Sequence, residues 1–363
     1  MKKTKLIIMA LAALMLVPFA SYARERVKPT DFNTCKIRDL ALIWVGNQRH
    51  LKWTVDEYEP YVAHTFADGR REWTFDGFLF LEGDNGEGVS FIPSLGKMGT
   101  KKEWQWYIDK LFERDRALDA LDKCIEKTKA ELGDPGFKHQ VVISILTPCL
   151  KTIDWGELDG KPVDMSQYDQ AALAAKWYID TVVETFKKQN YKNIELTGLY
   201  WLDEDLCHTF ELASYVEPYV HAHDMDYYWI PYFNARGTGL WRDMGFDMVY
   251  IQPNYLFVDE TILRLKDAVD YAKGLETGLE LEMEDTSVSA VTPPEKCTQQ
   301  KFKDYLDYFK ERGVWDRAGI AYYLGTKAVL TAAEKGNETD KALMDQMFNY
   351  IVERRHNPYL LKN

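Results

Sequence analysis

The chain has 363 residues, and its 57 acidic against 45 basic side chains give a formal charge of −12. With no basic block to offset that charge, nucleic acid and anionic membrane surfaces are poor partners. The length allows two domains or one α/β barrel, and 11 Trp with 22 Tyr supply either a large aromatic core or flat rings for stacking on sugars.

The first 23 residues read as an export signal rather than as part of the fold. Lys2, Lys3 and Lys5 form a basic start, Leu6 to Leu16 an apolar stretch, and Ser21-Tyr22-Ala23 a small-residue cleavage site. The expected mature chain begins near Arg24, is periplasmic or extracellular, and has no membrane attachment after cleavage. Five cysteines, Cys35, Cys124, Cys149, Cys207 and Cys297, are scattered without a CxxC pair. An odd count leaves at least one thiol unpaired. Cys149 and Cys207 follow adjacent predicted strands, but buried free thiols are the simpler state for most of the five.

Apolar runs of strand length then recur, each followed by a helical pattern. The first, at 40–47, precedes a helix around Asp56 to Ala67. The second, at 75–83, leads through a glycine-containing loop to Thr100 and Glu103. Those two residues have capping-box spacing and open a helix expected to reach about Leu132. Strands at 140–148 and 193–202 precede helices over Gln167 to Gln189 and Leu206 to about Ala222. A strand at 225–234 is followed by a short helical stretch near Leu240, and one at 247–255 by a helix from Asp259 to Lys273. The last two strands, at 278–285 and 319–326, precede helices over Thr298 to Arg312 and Lys341 to Arg354.

Near-continuous apolar strands alternating with helices indicate a parallel sheet, and eight such units indicate a closed (β/α)8 TIM barrel over residues 24–363. An open doubly wound sheet is the alternative, but it would carry a glycine-rich first turn, and "WVGNQRH" is not GxGxxG. In a barrel the chemistry lies where strands run into loops at the C-terminal mouth. The strand ends here are acidic, amide-rich and aromatic: Asp203, Glu204 and Asp205 after strand four, Tyr232 and Asn234 after strand five, and Gln252, Asn254 and Tyr255 after strand six. Glu282 and Glu284 end strand seven, and Tyr323 ends strand eight. That combination suits a neutral carbohydrate, with carboxylates and amides for its hydroxyls and rings for its C–H faces.

Strand seven alternates Glu280, Glu282 and Glu284 with Leu279, Leu281 and Met283. A period of two puts the glutamates on one face, and since helices cover a barrel, that face is the inner one. Tyr200 and Trp201 alternate likewise, so one of the two faces the helices. Glycoside hydrolysis needs two carboxyl groups across the scissile bond, one protonated and one ionised. Acids at the ends of strands four and seven supply a candidate pair.

From "GLYWLDED", "YIQPNY" and "GLELEME" the chain resembles an uncharacterised family of exported barrel proteins. By topology it also resembles the large clan of retaining TIM-barrel glycoside hydrolases, with acid/base and nucleophilic glutamates ending strands four and seven. The resemblance implies Glu204 as general acid/base and Glu282 as nucleophile, with carboxyl groups about 5–5.5 Å apart if the reaction is retaining. Asp203 departs from the clan, which usually has Asn before the strand-four glutamate. The candidate substrate contacts, read from the strand ends, are Asp203, Tyr200, Trp201, Tyr232, Asn234, Gln252, Asn254, Tyr255, Glu280, Glu284 and Tyr323. The rival reading is a barrel that binds glycans without turnover.

No cofactor or metal is expected. Strand one has no His-x-His. His221 and His223 precede strand five, at the face opposite the mouth, as a solvated helix end. A carboxylate Ca²⁺ or Mg²⁺ site at Asp84, Asp203 and Asp205 is the weaker reading, and Lys327 is expected as a surface lysine. No G-x-S-x-G elbow is present.

Overall fold

The computed structural model describes residues 37–47, 52–93, 96–207 and 209–357. The expected export signal and Cys35 lie outside them. Eight strands form one closed barrel: β1 (Asp39–Trp44), β2 (Gly77–Leu81), β3 (His139–Ile145), β4 (Ile194–Trp201), β5 (Asp226–Trp229), β6 (Met248–Ile251), β7 (Gly278–Glu282) and β8 (Ile320–Tyr323). Each pairs in parallel with its sequence neighbours, and β1 closes the ring by pairing with both β2 (Leu40 with Gly77) and β8 (Asp39 with Ile320). Six of the eight strands lie within the expected segments, and β1 and β3 each begin one residue earlier, at Asp39 and His139. They are apolar on both faces because one face meets the barrel interior and the other the helices.

The outer ring comprises α1 (Val55–Val62), α2 (Lys101–Leu111), α3 (Ala117–Leu132), α4 (Tyr168–Gln189), α5 (Phe210–His221), α6 (Leu263–Leu275), α7 (Gln299–Glu311), α8 (Val314–Arg317), α9 (Ala328–Lys335) and α10 (Glu338–Arg355). Thr100 and Glu103 form the expected capping box, with the Glu103 carboxylate accepting from the Thr100 amide at 2.9 Å and its hydroxyl at 2.6 Å. The single helix expected from Thr100 to Leu132 is instead α2 and α3. Asp115 and Ala117 adopt φ of 60° and 40° between them, and Asp119 accepts from the Asp115 amide at 2.6 Å. No Gly or Pro marks that break, so composition hid it. Two hairpins (63–65 with 71–73, and 156–158 with 161–163) and the helices α8 and α9 were likewise not separated by the sequence pattern.

Register fixes which side of β7 faces inward. Leu281 pairs with Tyr322, whose ring lies 6.3 Å from Trp315 of α8, so Leu281 is on the helix side. Glu280 and Glu282, paired with Ala321 and Tyr323, are on the inner side. Gly278 begins this strand where a Cβ would stand 2.6 Å from the Gly319 carbonyl oxygen and 2.7 Å from Met248 Cε. Only glycine allows that close approach of β7 to β8 and β6.

At the opposite end, Arg354 of α10 forms a buried ion pair with Asp39 at 2.9 Å. It also donates to the Ala318 carbonyl at 2.7 Å and the Arg38 carbonyl at 3.0 Å, tying the last helix beneath the barrel. Lys327 is not a surface lysine. It is 6% exposed, paired with Glu57 of α1 and 4.8 Å over the Trp53 ring. Its position just past β8 points it at the neighbouring first loop rather than at water. His221 and His223 are half-buried and bonded to Asp247 and Asp180, each at 2.8 Å. Of the described cysteines, Cys124 and Cys149 are buried, Cys297 half-buried and Cys207 exposed, all as free thiols.

Candidate active site

The three consecutive acids behind β4 have three different environments. Asp203 is buried, its Oδ2 accepting from Thr209 at 2.9 Å, while its backbone carbonyl accepts from Trp229 Nε1 at 2.8 Å. Asp205 accepts from the Tyr232 hydroxyl, the Cys207 amide at 2.8 Å and Arg236 Nε at 3.1 Å. Burial alone would raise its pKa, but those three donors together hold it below the usual carboxylate range. Glu204 between them is open to solvent yet crowded on its flanks by the barrel mouth. Burial and the charge of Asp203 raise its pKa, against a lowering hydrogen bond from Gln252. A carboxyl with raised pKa and open access is suited to donate a proton.

Gln252, at the end of β6, donates to the Ile230 carbonyl at 2.9 Å and links β5 to Glu204. One step beyond the Ile251–Leu279 pair, it comes level with Glu280. Glu280 is 2% exposed, and its Oε2 has no hydrogen-bond partner among the described residues. Burial, then the charges of Glu282 and Glu204, raise its pKa well above the usual value. Tyr200 on β4 is also buried, and Glu204, Glu280 and Asp203 all act on its hydroxyl.

Glu282, the expected nucleophile, is placed differently. It is fully buried, with Oε1 accepting from the Asn254 amide and Oε2 from the Leu256 amide at 3.0 Å and the Tyr305 hydroxyl at 2.6 Å. Burial outweighs these donors and pushes its pKa up to about 7. The carboxylate clamps the loop after β6 to β7 and α7, and its lone pairs are engaged in doing so. Glu284 caps the short turn that follows β7 and accepts from Tyr323 at 3.0 Å.

The remaining expected contacts divide by orientation. Trp201 is fully buried, its ring centroid 6.4 Å from that of Tyr227 in an edge-to-face arrangement. By alternation it takes the helix side and Tyr200 the inner one. Tyr255 is turned toward α7, donating to Asp304 at 2.8 Å with its ring 5.9 Å from Tyr305. Tyr232 is held by Asp205. Asn234 is exposed and Asn254 half-buried, both in left-handed turns with φ of 68° and 55°. Sequence reading missed Tyr305, which sits among the regularly spaced buried residues of α7 and gives no sign that its hydroxyl reaches a strand end. It also missed Thr209, whose hydroxyl fixes Asp203.

Beside the acids lies a cavity of about 860 Å³. Its walls include Met98, Cys149, Ile153, Tyr168, Cys207 and Phe210, and it meets the acidic loop at Thr209. Glu204, Glu280 and Glu282 are not among its lining residues. Among the described residues, no group of three or more His, Cys, Asp or Glu is arranged to hold a metal ion.

A closed parallel barrel whose mouth gathers carboxyl groups from β4 and β7 defines the class: a (β/α)8 barrel with an acid-lined site at the C-terminal ends of its strands. Within that class the chain belongs to the family described as domain of unknown function DUF4855, which matches residues 39–349. No curated protein matches the chain. Solved structures similar to it include a family 18 chitinase from Crocus vernus at 12% identity, covering 86% of this chain and 99% of that one with a TM-score of 0.44. A family GH18 chitinase catalytic domain from the fern Peteris ryukyuensis is 10% identical, covering 85% and 99% with a TM-score of 0.43. The intracellular xylanase TsXylA from Thermoanaerobacterium saccharolyticum is 12% identical, covering 69% and 78% with a TM-score of 0.39.

Proposed function

We propose that this protein is a glycoside hydrolase acting on a neutral oligo- or polysaccharide, with Glu204 as the general acid and a β7 glutamate as the second carboxyl group. The observation that carries this reading is the environment of Glu204. It is the accessible acid of its row, its pKa is raised by the surrounding mouth and by Asp203, and the strand bearing Glu280 and Glu282 faces the same interior. Protonation of the leaving oxygen by such a group typically contributes about 10²–10⁴-fold to rate. Tyr200 and Gln252, both of which interact with Glu204, would orient the sugar.

The reading is tested by incubating the protein with a panel of aryl glycosides and plant, host and microbial polysaccharides, next to Glu204→Gln. The expected outcome is sugar release by the wild type and a loss of at least about 10²-fold in the variant with an unchanged melting curve. Activated aryl leaving groups, which need little protonation, should be the least affected. Equal activity in the two proteins removes Glu204 from the mechanism.

A second reading, a glycan-binding barrel without turnover, is favoured by one observation: the 860 Å³ cavity is lined by Tyr168 and Phe210 rather than by the glutamates. Retained binding without release by the wild type decides for it.

A further inference from the structure

We propose that Glu280, rather than Glu282, is the carboxyl group that attacks the anomeric carbon, and that Glu282 is a positioning residue. The assignment rests on the hydrolase reading above and specifies its second catalytic residue. It starts from how the two side chains use their oxygens. Glu282 has three donors from the protein, two of them backbone amides of the loop after β6. A lone pair committed to such a bond is not free for a new bond to carbon, and freeing it would release the loop. Glu280 Oε2 is buried and without a partner among the described residues, which costs stability that a purely structural carboxyl would avoid.

Position supports the same choice. Glu280 lies on the inner face of β7, within electrostatic reach of Glu204 and beside Tyr200. Its partner across the β8 ladder is Ala321, the smaller of the two inner-facing side chains of β8. Glu282 lies farther along the strand, where the loop after β6 and Tyr305 of α7 close over it. A buried polar atom left without a partner calls for an explanation, and at a barrel mouth a bound ligand supplies one.

The reaction balances as follows. Glu280, whose surroundings favour the neutral acid, first releases its proton to solvent; a carboxylate oxygen then bonds to the anomeric carbon as the glycosidic C–O bond breaks. Its electron pair leaves with the aglycone oxygen, which takes the Glu204 proton. Water then attacks the same carbon and gives a proton back to Glu204, and the electron pair of the ester bond returns to Glu280.

The test compares Glu280→Ala and Glu282→Ala on an aryl glycoside that the wild type hydrolyses, with and without sodium azide. Azide is small enough to fill the space of a removed carboxylate and attack carbon directly, expelling the phenolate. The expected result is a loss of at least about 10²-fold in Glu280→Ala, recovered on adding azide with a glycosyl azide as product. Azide should not restore Glu282→Ala, and that variant should melt at lower temperature. Glu280→Gln, nearly the same shape, covers failure of the alanine variant to fold and should be inactive with the wild-type melting temperature or a higher one. Azide rescue of Glu282→Ala, absence of rescue in a folded Glu280→Ala, or wild-type turnover by Glu280→Gln each overturns the assignment while leaving the hydrolase reading intact. Failure of the wild type on every substrate removes both.

Discussion

Glu282 carries a prediction about pH that does not depend on substrate. Its folded pKa of about 7 stands above the ordinary 4.5, so the folded chain holds a proton that the unfolded chain releases between those values. The stabilisation is fully present below about 4.5 and is lost as pH rises through about 7. Glu282→Gln should flatten stability over that window, measured by urea midpoints at pH 5 and 7. It should also lower stability at both pH values by about 1–3 kcal/mol, because an amide nitrogen would face a donor. His139 at the base of β3 has the opposite sign. Its ring nitrogens have no partner among the described residues, Trp73, Phe78 and Phe137 lie around it, and burial pushes its pKa down to about 3 from 6.5. The unfolded chain therefore takes up a proton below 6.5 that the folded one refuses. Its contribution is complete above that pH and declines on acidification toward 3. Replacing His139 with Leu should make the protein less sensitive to acid, with the slope of stability between pH 6 and 4 reduced by up to about 1.4 kcal/mol per pH unit.

Elements are held in place by close approaches as well as by apolar burial, and Gly278 is the sharpest case. Gly278→Ala would press a Cβ against the Gly319 carbonyl, a backbone atom that cannot swing aside. The expected cost is about 1–3 kcal/mol, read as a lowered urea midpoint with an unchanged slope. At this scale the sequence was informative where periodicity and composition agree. Eight apolar runs became eight strands, and the alternation of Glu280 and Glu282 with Leu279 and Leu281 placed the acids inside. It was uninformative where backbone dihedrals alone decide. The α2–α3 break at Asp115 and Ala117 carries neither Gly nor Pro. It was also uninformative where a side chain from a distant element completes a site. Strand spacing marked Glu282 and Glu280 equally, and only the arrival of Tyr305 and of the Asn254 and Leu256 amides separates them. Lys327 misled for the same reason, its partners Glu57 and Trp53 being 270 or more positions away.

Over the whole molecule, the barrel separates stability from chemistry along its axis. The lower end is tied by Asp39, Arg354 and the carbonyls of Arg38 and Ala318. The mouth holds three glutamates whose raised pKa values oppose stability at neutral pH. Concentrating such groups at one end is what a site that moves protons requires. The adjoining cavity has a volume of about 860 Å³, and under the hydrolase proposal it would seat further sugar units. The most direct measurement is a crystal structure of Glu204→Gln with an oligosaccharide bound. The expected result is a sugar ring in the barrel mouth, its glycosidic oxygen within hydrogen-bond distance of residue 204 and its anomeric carbon facing Glu280. Sugar confined to the cavity walled by Cys149 and Phe210, with the mouth filled by water, contradicts it.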